Sequence, residues 1–158
     1  LINSKQGIVL DSTSPERLVY KGPSSDYFNI IVQGVEAHSG INPEKGISSI
    51  AASAEIVSKM KTGRINSNTT INIGKINGGS AINIVPGETI ISCEIRSHNE
   101  KTIKTEINKI KKVIQNVNKK YKKINKKFNA KIKIERIYDS INIPKNSLFT
   151  ELKTVGTQ

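Results

Sequence analysis

The chain has 158 residues, enough for one domain with short flanks, and its 35% hydrophobic and 24% charged residues exclude collagen-like, low-complexity and grossly disordered classes. Aromatics are only 4% and Trp is absent, so the core must be aliphatic; no run approaches the ~18 apolar residues of a membrane span, and the one cysteine, Cys93, excludes internal disulfides. The net charge of +12 sits in one window: residues 101–136 hold 14 Lys/Arg against Glu106 and Glu135, and the rest of the chain is balanced.

Taken in chain order, the start Leu1-Ile2-Asn3-Ser4-Lys5 is no signal peptide and has no initiator Met, so a piece of a longer chain in a reducing, cytoplasmic setting is expected. Asp11-Ser12-Thr13-Ser14-Pro15 is a turn signature, and Arg17–Lys21 reads as a short strand. Tyr27–Glu36 is β-rich. Asn42-Pro43-Glu44 then announces a helix: Asn can cap, Pro suits the first helical position, and Glu favours the positive end of the dipole. Ile47, Ile50, Ala51, Ala54, Val57 and Met60 would form its buried face, and Thr62-Gly63 its end. That would leave Ser48, Ser49, Ala52 and Ser53 as a small-residue surface suited to a second copy of the chain.

Thr69–Ile76 is a second strand. In a third, Glu88–Ser97, Thr89, Ile91, Cys93 and Ile95 alternate with Ile90, Ser92, Glu94 and Arg96. Next, Ile103, Ile107, Ile110, Ile114, Val117, Tyr121, Ile124 and Phe128 fall at alternating steps of four and three, predicting a long amphipathic helix with lysines on its other faces. Lys131–Tyr138 is the last strand. The order strand, helix, strand, strand, helix, strand predicts an α+β, ferredoxin-like βαββαβ unit: a four-stranded, mainly antiparallel sheet with both helices on one face and the other open. Residues 27–138 would form this unit. Residues 1–26 and 139–158 read as connections to something else.

Chemistry is sparse by residue type alone. There is no GxxxxGK[ST], HExxH or GxSxG motif, and two His with one Cys cannot make a four-ligand zinc site without carboxylates. One series is more specific. Gly34-Val35-Glu36-Ala37-His38-Ser39-Gly40 leads into Asn42-Pro43-Glu44-Lys45-Gly46; later come Thr69 to Gly74, Gly78-Gly79, Asn83-Ile84-Val85-Pro86 and Glu94-Ile95-Arg96-Ser97. From about Gly7 to Ser140 this resembles the lid, or dimerisation, domain of the di-zinc exopeptidases. These include glutamate carboxypeptidases, aminoacylases and succinyl-diaminopimelate desuccinylase, and the peptidase T (aminotripeptidase) branch is the most similar.

The resemblance implies a role for each motif residue. His38, which would otherwise be an ordinary turn histidine, would reach the partner subunit's active site and hydrogen-bond the oxyanion formed during peptide hydrolysis. Arg96, otherwise a surface arginine paired with Glu94 or a neighbour, would clamp the substrate's terminal carboxylate with its planar fork. Asn83, which could otherwise simply shape the turn before Pro86, would add polar contacts to substrate. Asp11, in Ile8-Val9-Leu10-Asp11, resembles a carboxylate zinc ligand of the parent enzyme. His98 reads as structural or at the rim, Cys93 as an inert buried thiol, and the lysine-rich face as solvated.

A homodimeric, cytoplasmic zinc aminopeptidase of short peptides is therefore expected, with two zinc ions in the full-length enzyme and none held by this piece, which alone would be inactive. A related N-acyl-amino-acid amidohydrolase (a deacylase or desuccinylase) would use the same lid residues. A basic, ferredoxin-like nucleic-acid-binding module is less favoured, because the central strands lack stacking aromatics and the charge maps to a helix. No nucleic acid and no membrane is expected as partner.

Overall fold

The computed structural model describes residues 18–144 and 149–152. The chain divides into two units. One, Pro23–Ile141, carries the sheet; the other comprises Leu1–Gly22 and Asn142–Gln158. In the smaller unit the described residues include β1 (Lys21–Gly22), and the Ile143 N–H donates to the Tyr20 carbonyl at 2.8 Å.

In the larger unit the elements run β2 (Ser24–Gln33), β3 (Ala37–His38), a 3-10 turn at Pro43–Lys45, α1 (Ser49–Ser58), β4 (Gly63–Asn66), β5 (Thr69–Gly78), β6 (Ile84–Val85), β7 (Glu88–Ser97), α2 (Glu100–Lys122) and β8 (Asn129–Tyr138); β9 (Ile141–Asn142) falls at the boundary between the two units. The main sheet has the order β4-β5-β7-β2-β8 and every pairing in it is antiparallel. Without β4 this is the expected ferredoxin-like order. β4 is a fifth, short edge strand whose four residues are too few for alternation to reveal. Both helices cover one face. Phe28, Ile30 and Val32 of β2, Ile91, Cys93 and Ile95 of β7, and Ile71 of β5 meet Ile103, Ile107, Ile110, Ile114 and Val117 of α2 in one aliphatic core. Burial pushes the Cys93 thiol up to about 12, so it stays protonated and inert.

Two helix expectations need correction. Asn42 makes no side-chain cap, and Pro43–Lys45 is a single 3-10 turn; α1 starts only at Ser49, capped by Ser48 Oγ accepting from the Ala51 N–H at 3.1 Å. The cause is non-local. Val35 and Ile47 exchange both backbone hydrogen bonds (2.9 and 2.8 Å) and the Ser49 N–H donates to the Pro86 carbonyl at 2.9 Å, which holds residues 46–48 extended. The buried face of α1 is consequently Ser49, Ala52, Ser53 and Ile56, while Ile50, Ala51 and Ala54 are exposed. Ser49, Ala52 and Ser53 thus pack within their own chain and are not the surface for a second copy.

The long helix also ends early. Asn118 grips the Ala130 backbone twice, Nδ2 donating to its carbonyl and Oδ1 accepting from its N–H, both at 2.8 Å. Tyr121 stacks on Phe128 with ring centroids 4.8 Å apart. The chain must reverse between these contacts, so helix α2 stops at Lys122 and Ile124 is left 65% exposed.

Candidate functional site

Gly34 terminates β2 at a crossing of three backbones. A Cβ there would lie 2.0 Å from the Ile47 carbonyl oxygen and 2.9 Å from the Ser49 nitrogen, so only glycine fits. The Gly34 N–H donates to the Gly87 carbonyl at 2.8 Å. From this crossing the chain projects the β3 arm, which pairs antiparallel with β6: Ala37 opposite Val85 and His38 opposite Ile84. Gly46 lies against the arm, since a Cβ would meet Val85 Cγ1 at 2.8 Å and Ala37 Cβ at 3.1 Å. A glycine, not a side chain, lets the arm pack closely.

At the tip of the arm the structure brings two of the sequence candidates together. The Ser39 N–H donates to the Asn83 carbonyl at 3.0 Å, so His38 and Asn83 are held on adjoining strand ends, both exposed. The His38 carbonyl accepts from the Asn42 N–H at 3.1 Å, closing the turn behind it. The ring is oriented as well: His38 Nδ1 accepts from the Gly40 N–H at 3.2 Å. An imidazole whose Nδ1 accepts has Nε2 as its donor nitrogen. A shallow hollow of about 390 Å³ at the base of the arm, lined by Gln33, Gly34, Glu36, Gly87, Glu88 and Lys127, includes none of the candidates.

Arg96 lies elsewhere. It sits one residue from the C-terminal end of the ten-residue β7, on the face away from the helices, whereas His38 and Asn83 lie beyond the other end of that strand. At ~3.3 Å per residue the two positions are about 25–30 Å apart along the sheet. Arg96 Nε donates to Glu94 Oε1 at 2.7 Å, and that hydrogen bond is the main cause of its raised pKa. The Glu94 pairing is thus present, and alternation along β7 already placed both on one face.

His98 does not continue Arg96's row. β7 ends at Ser97, whose Oγ accepts from the Asn99 N–H (3.0 Å), and the His98 N–H donates to the Asn68 carbonyl (3.2 Å) with its side chain exposed. Asp11 lies outside the described residues. Among the described residues no group of three His, Cys, Asp or Glu side chains is arranged to hold a metal ion.

Sequence reasoning missed an ion cluster on β2 and β8. Asp26, only 5% exposed, pairs with Arg136, which also reaches Glu100 and Asp139, each at 2.7 Å. Strand register, invisible in a single sequence, sets Asp26 opposite Arg136. Of the lysines on α2, Lys109 pairs with Glu106 and Lys120 with Glu55, both at 2.7 Å.

A family model described as a peptidase dimerisation domain matches residues 24–122. The Bacillus subtilis (strain 168) protein YqjE is 34% identical over 139 residues, covering 87% of this chain and 36% of its own. The crystal structure of aminopeptidase PepT from Bacillus cereus ATCC 10987 superposes with a TM-score of 0.72 at 31% identity, over 84% of this chain and 34% of that one. A tripeptidase from Staphylococcus aureus subsp. aureus mu50 does so with a TM-score of 0.70, also at 31% identity and the same coverage. The chain therefore spans about a third of the length of these relatives.

Proposed function

The chain belongs to the peptidase dimerisation domain family, and on that premise we propose that it is the lid and dimerisation domain of a zinc-dependent, peptidase T-like aminopeptidase that hydrolyses short peptides as a homodimer. The observation that carries this reading is the His38 arm, whose ring is held by the Gly40 N–H on Nδ1 and whose strand end adjoins Asn83, leaving Nε2 as the nitrogen that would donate. Such a donor stabilises an oxyanion better than a planar carbonyl, which is how it would lower the barrier to amide hydrolysis. Zinc would be held largely by residues other than those described here, with Asp11 as this chain's one candidate ligand. Asn83 would contact substrate beside His38, and Arg96 would hold its C-terminal carboxylate.

Geometry adds a constraint. A tripeptide is about 10 Å long when extended. It cannot touch both ends of one sheet, so we infer that His38 and Asn83 of one protomer work with the partner subunit's Arg96. Mixing full-length His38→Ala and Arg96→Ala subunits tests this. If the two act in trans, each hybrid dimer has one intact site, and random exchange at low substrate should restore activity to about a quarter of wild type. Confirmed exchange with no recovery would sink the idea. A lid of an N-acyl-amino-acid amidohydrolase would behave identically in the mixing test, and is separated by assaying trialanine against N-acetylalanine.

A further inference from the structure

On the open face of the sheet the strand register sets two rows side by side. Tyr138, Ser25, Arg96 and Thr70 form one row across β8, β2, β7 and β5; Glu135, Tyr27, Glu94 and Asn72 form the next. Three of these side chains are linked. Glu94 Oε1 accepts from Ser25 Oγ at 2.7 Å and from Arg96 Nε at 2.7 Å. Glu94 is a quarter exposed and nearly fixed between its two donors, while Arg96 is about half exposed. Glu94 is the only carboxylate in ion-pair contact with Arg96 among the described residues.

A guanidinium has five N–H donors arranged on a planar fork. With Nε occupied by Glu94, the side-on edge is closed, and the Nη1–Nη2 edge is left for an incoming anion. That edge accepts a carboxylate end-on through two parallel hydrogen bonds. An unrestrained arginine would have to freeze several rotors to do the same, which weakens binding. Tyr27 and Tyr138, each partly exposed on neighbouring positions of the same face, wall the spot on the β2–β8 side.

We propose that Glu94, anchored by Ser25, is a positioning residue that holds the Arg96 fork outward for end-on capture of a peptide's terminal carboxylate. The inference deepens the substrate reading of Arg96 above and rests on it. Glu94 touches no substrate and works through Arg96 alone. Its own negative charge faces the incoming carboxylate, so a positioning role and a repulsive one predict opposite signs.

The test uses the full-length enzyme with trialanine or N-acetylalanine, whichever is hydrolysed, and the corresponding C-terminal amide. Arg96→Ala should abolish the preference for the free acid. Glu94→Ala should raise KM for the acid about tenfold, leave kcat within about twofold and leave KM for the amide unchanged. The isosteric Glu94→Gln keeps an acceptor for both donors and should rise only a few-fold; it also serves if Glu94→Ala folds poorly. The double variant Glu94→Ala/Arg96→Ala should be no worse than Arg96→Ala, because one residue acts through the other. If Arg96→Ala abolishes the preference while both Glu94 variants keep or lower the wild-type KM, the positioning role is wrong and the Arg96 reading survives. If Arg96→Ala leaves the preference intact, or neither substrate is turned over, the Arg96 reading falls and this inference with it.

Discussion

The Ser49 and Thr89 hydroxyls lie 2.8 Å apart, both fully buried, and tie the first turn of α1 to the start of β7. Each hydroxyl is the other's hydrogen-bond partner in place of the water lost on burial. Ser49→Ala should leave the Thr89 hydroxyl unsatisfied and cost about 1–2 kcal/mol. Removing both polar groups with Ser49→Ala/Thr89→Val should recover most of that loss. Urea denaturation with an unchanged slope measures it, and a double variant less stable than the single one would refute the account.

Arg136 offers a sharper loss. It is the partner of the buried Asp26, and Arg136→Met would strand that carboxylate in the protein at a cost of about 3 kcal/mol. Asp26→Asn in the same background should restore more than half. Equal stabilities for the single and double variants would show that Asp26 finds water or another donor.

Acid should weaken the bridge between the two helices. Hydrogen bonds from Lys120 and Lys59 hold Glu55 at about 2, below its ordinary 4.5. Since the folded state binds the proton less readily, these contacts stabilise fully above about pH 4.5 and are lost as pH falls towards 2. The Tm gap between wild type and Glu55→Gln should therefore be largest near neutrality and close by pH 2. It should also shrink in ~1 M salt, where the Debye length is about 3 Å. A gap that persists at pH 2 assigns the effect to packing.

On the proposed oxyanion role, His38→Ala in the full-length enzyme should lower kcat on the order of 100-fold with little change in KM, because such a donor would stabilise charge present only in the transition state. A KM effect with normal kcat would make His38 a ground-state binder instead.

Chelation addresses the metal. With an aliphatic core and no side-chain group among the described residues arranged to hold a metal ion, excess chelator should shift the Tm of this 158-residue chain by less than about 1 °C. A fall of many degrees would reveal a structural metal.

Strand and helix identity were legible in the sequence wherever a pattern repeated. Alternation along Glu88–Ser97 named the inward Thr89, Ile91, Cys93 and Ile95 and put Glu94 and Arg96 on the opposite face, as found. The spacing from Ile103 to Val117 likewise named the buried stripe of α2. These patterns are local, because each residue's face follows from its own backbone period. The motif series around His38, Asn83 and Arg96 was legible too, but not which of them are neighbours.

Tertiary contacts alone decided the rest. α1 begins at Ser49 and turns its serines inward because Val35, Pro86 and Thr89, distant in sequence, claim the backbone and hydroxyl groups nearby. α2 stops at Lys122 because Asn118 and Tyr121 are pinned to Ala130 and Phe128. His38 joins Asn83, and Arg96 lies at the other end of the sheet, through the pairing of β3 with β6 and the register of β7. In the two helix cases hydrogen bonds between remote residues outweigh a helix-start or periodicity preference, because propensities are worth tenths of a kcal/mol per residue whereas a buried polar group left unpaired costs about 1–3.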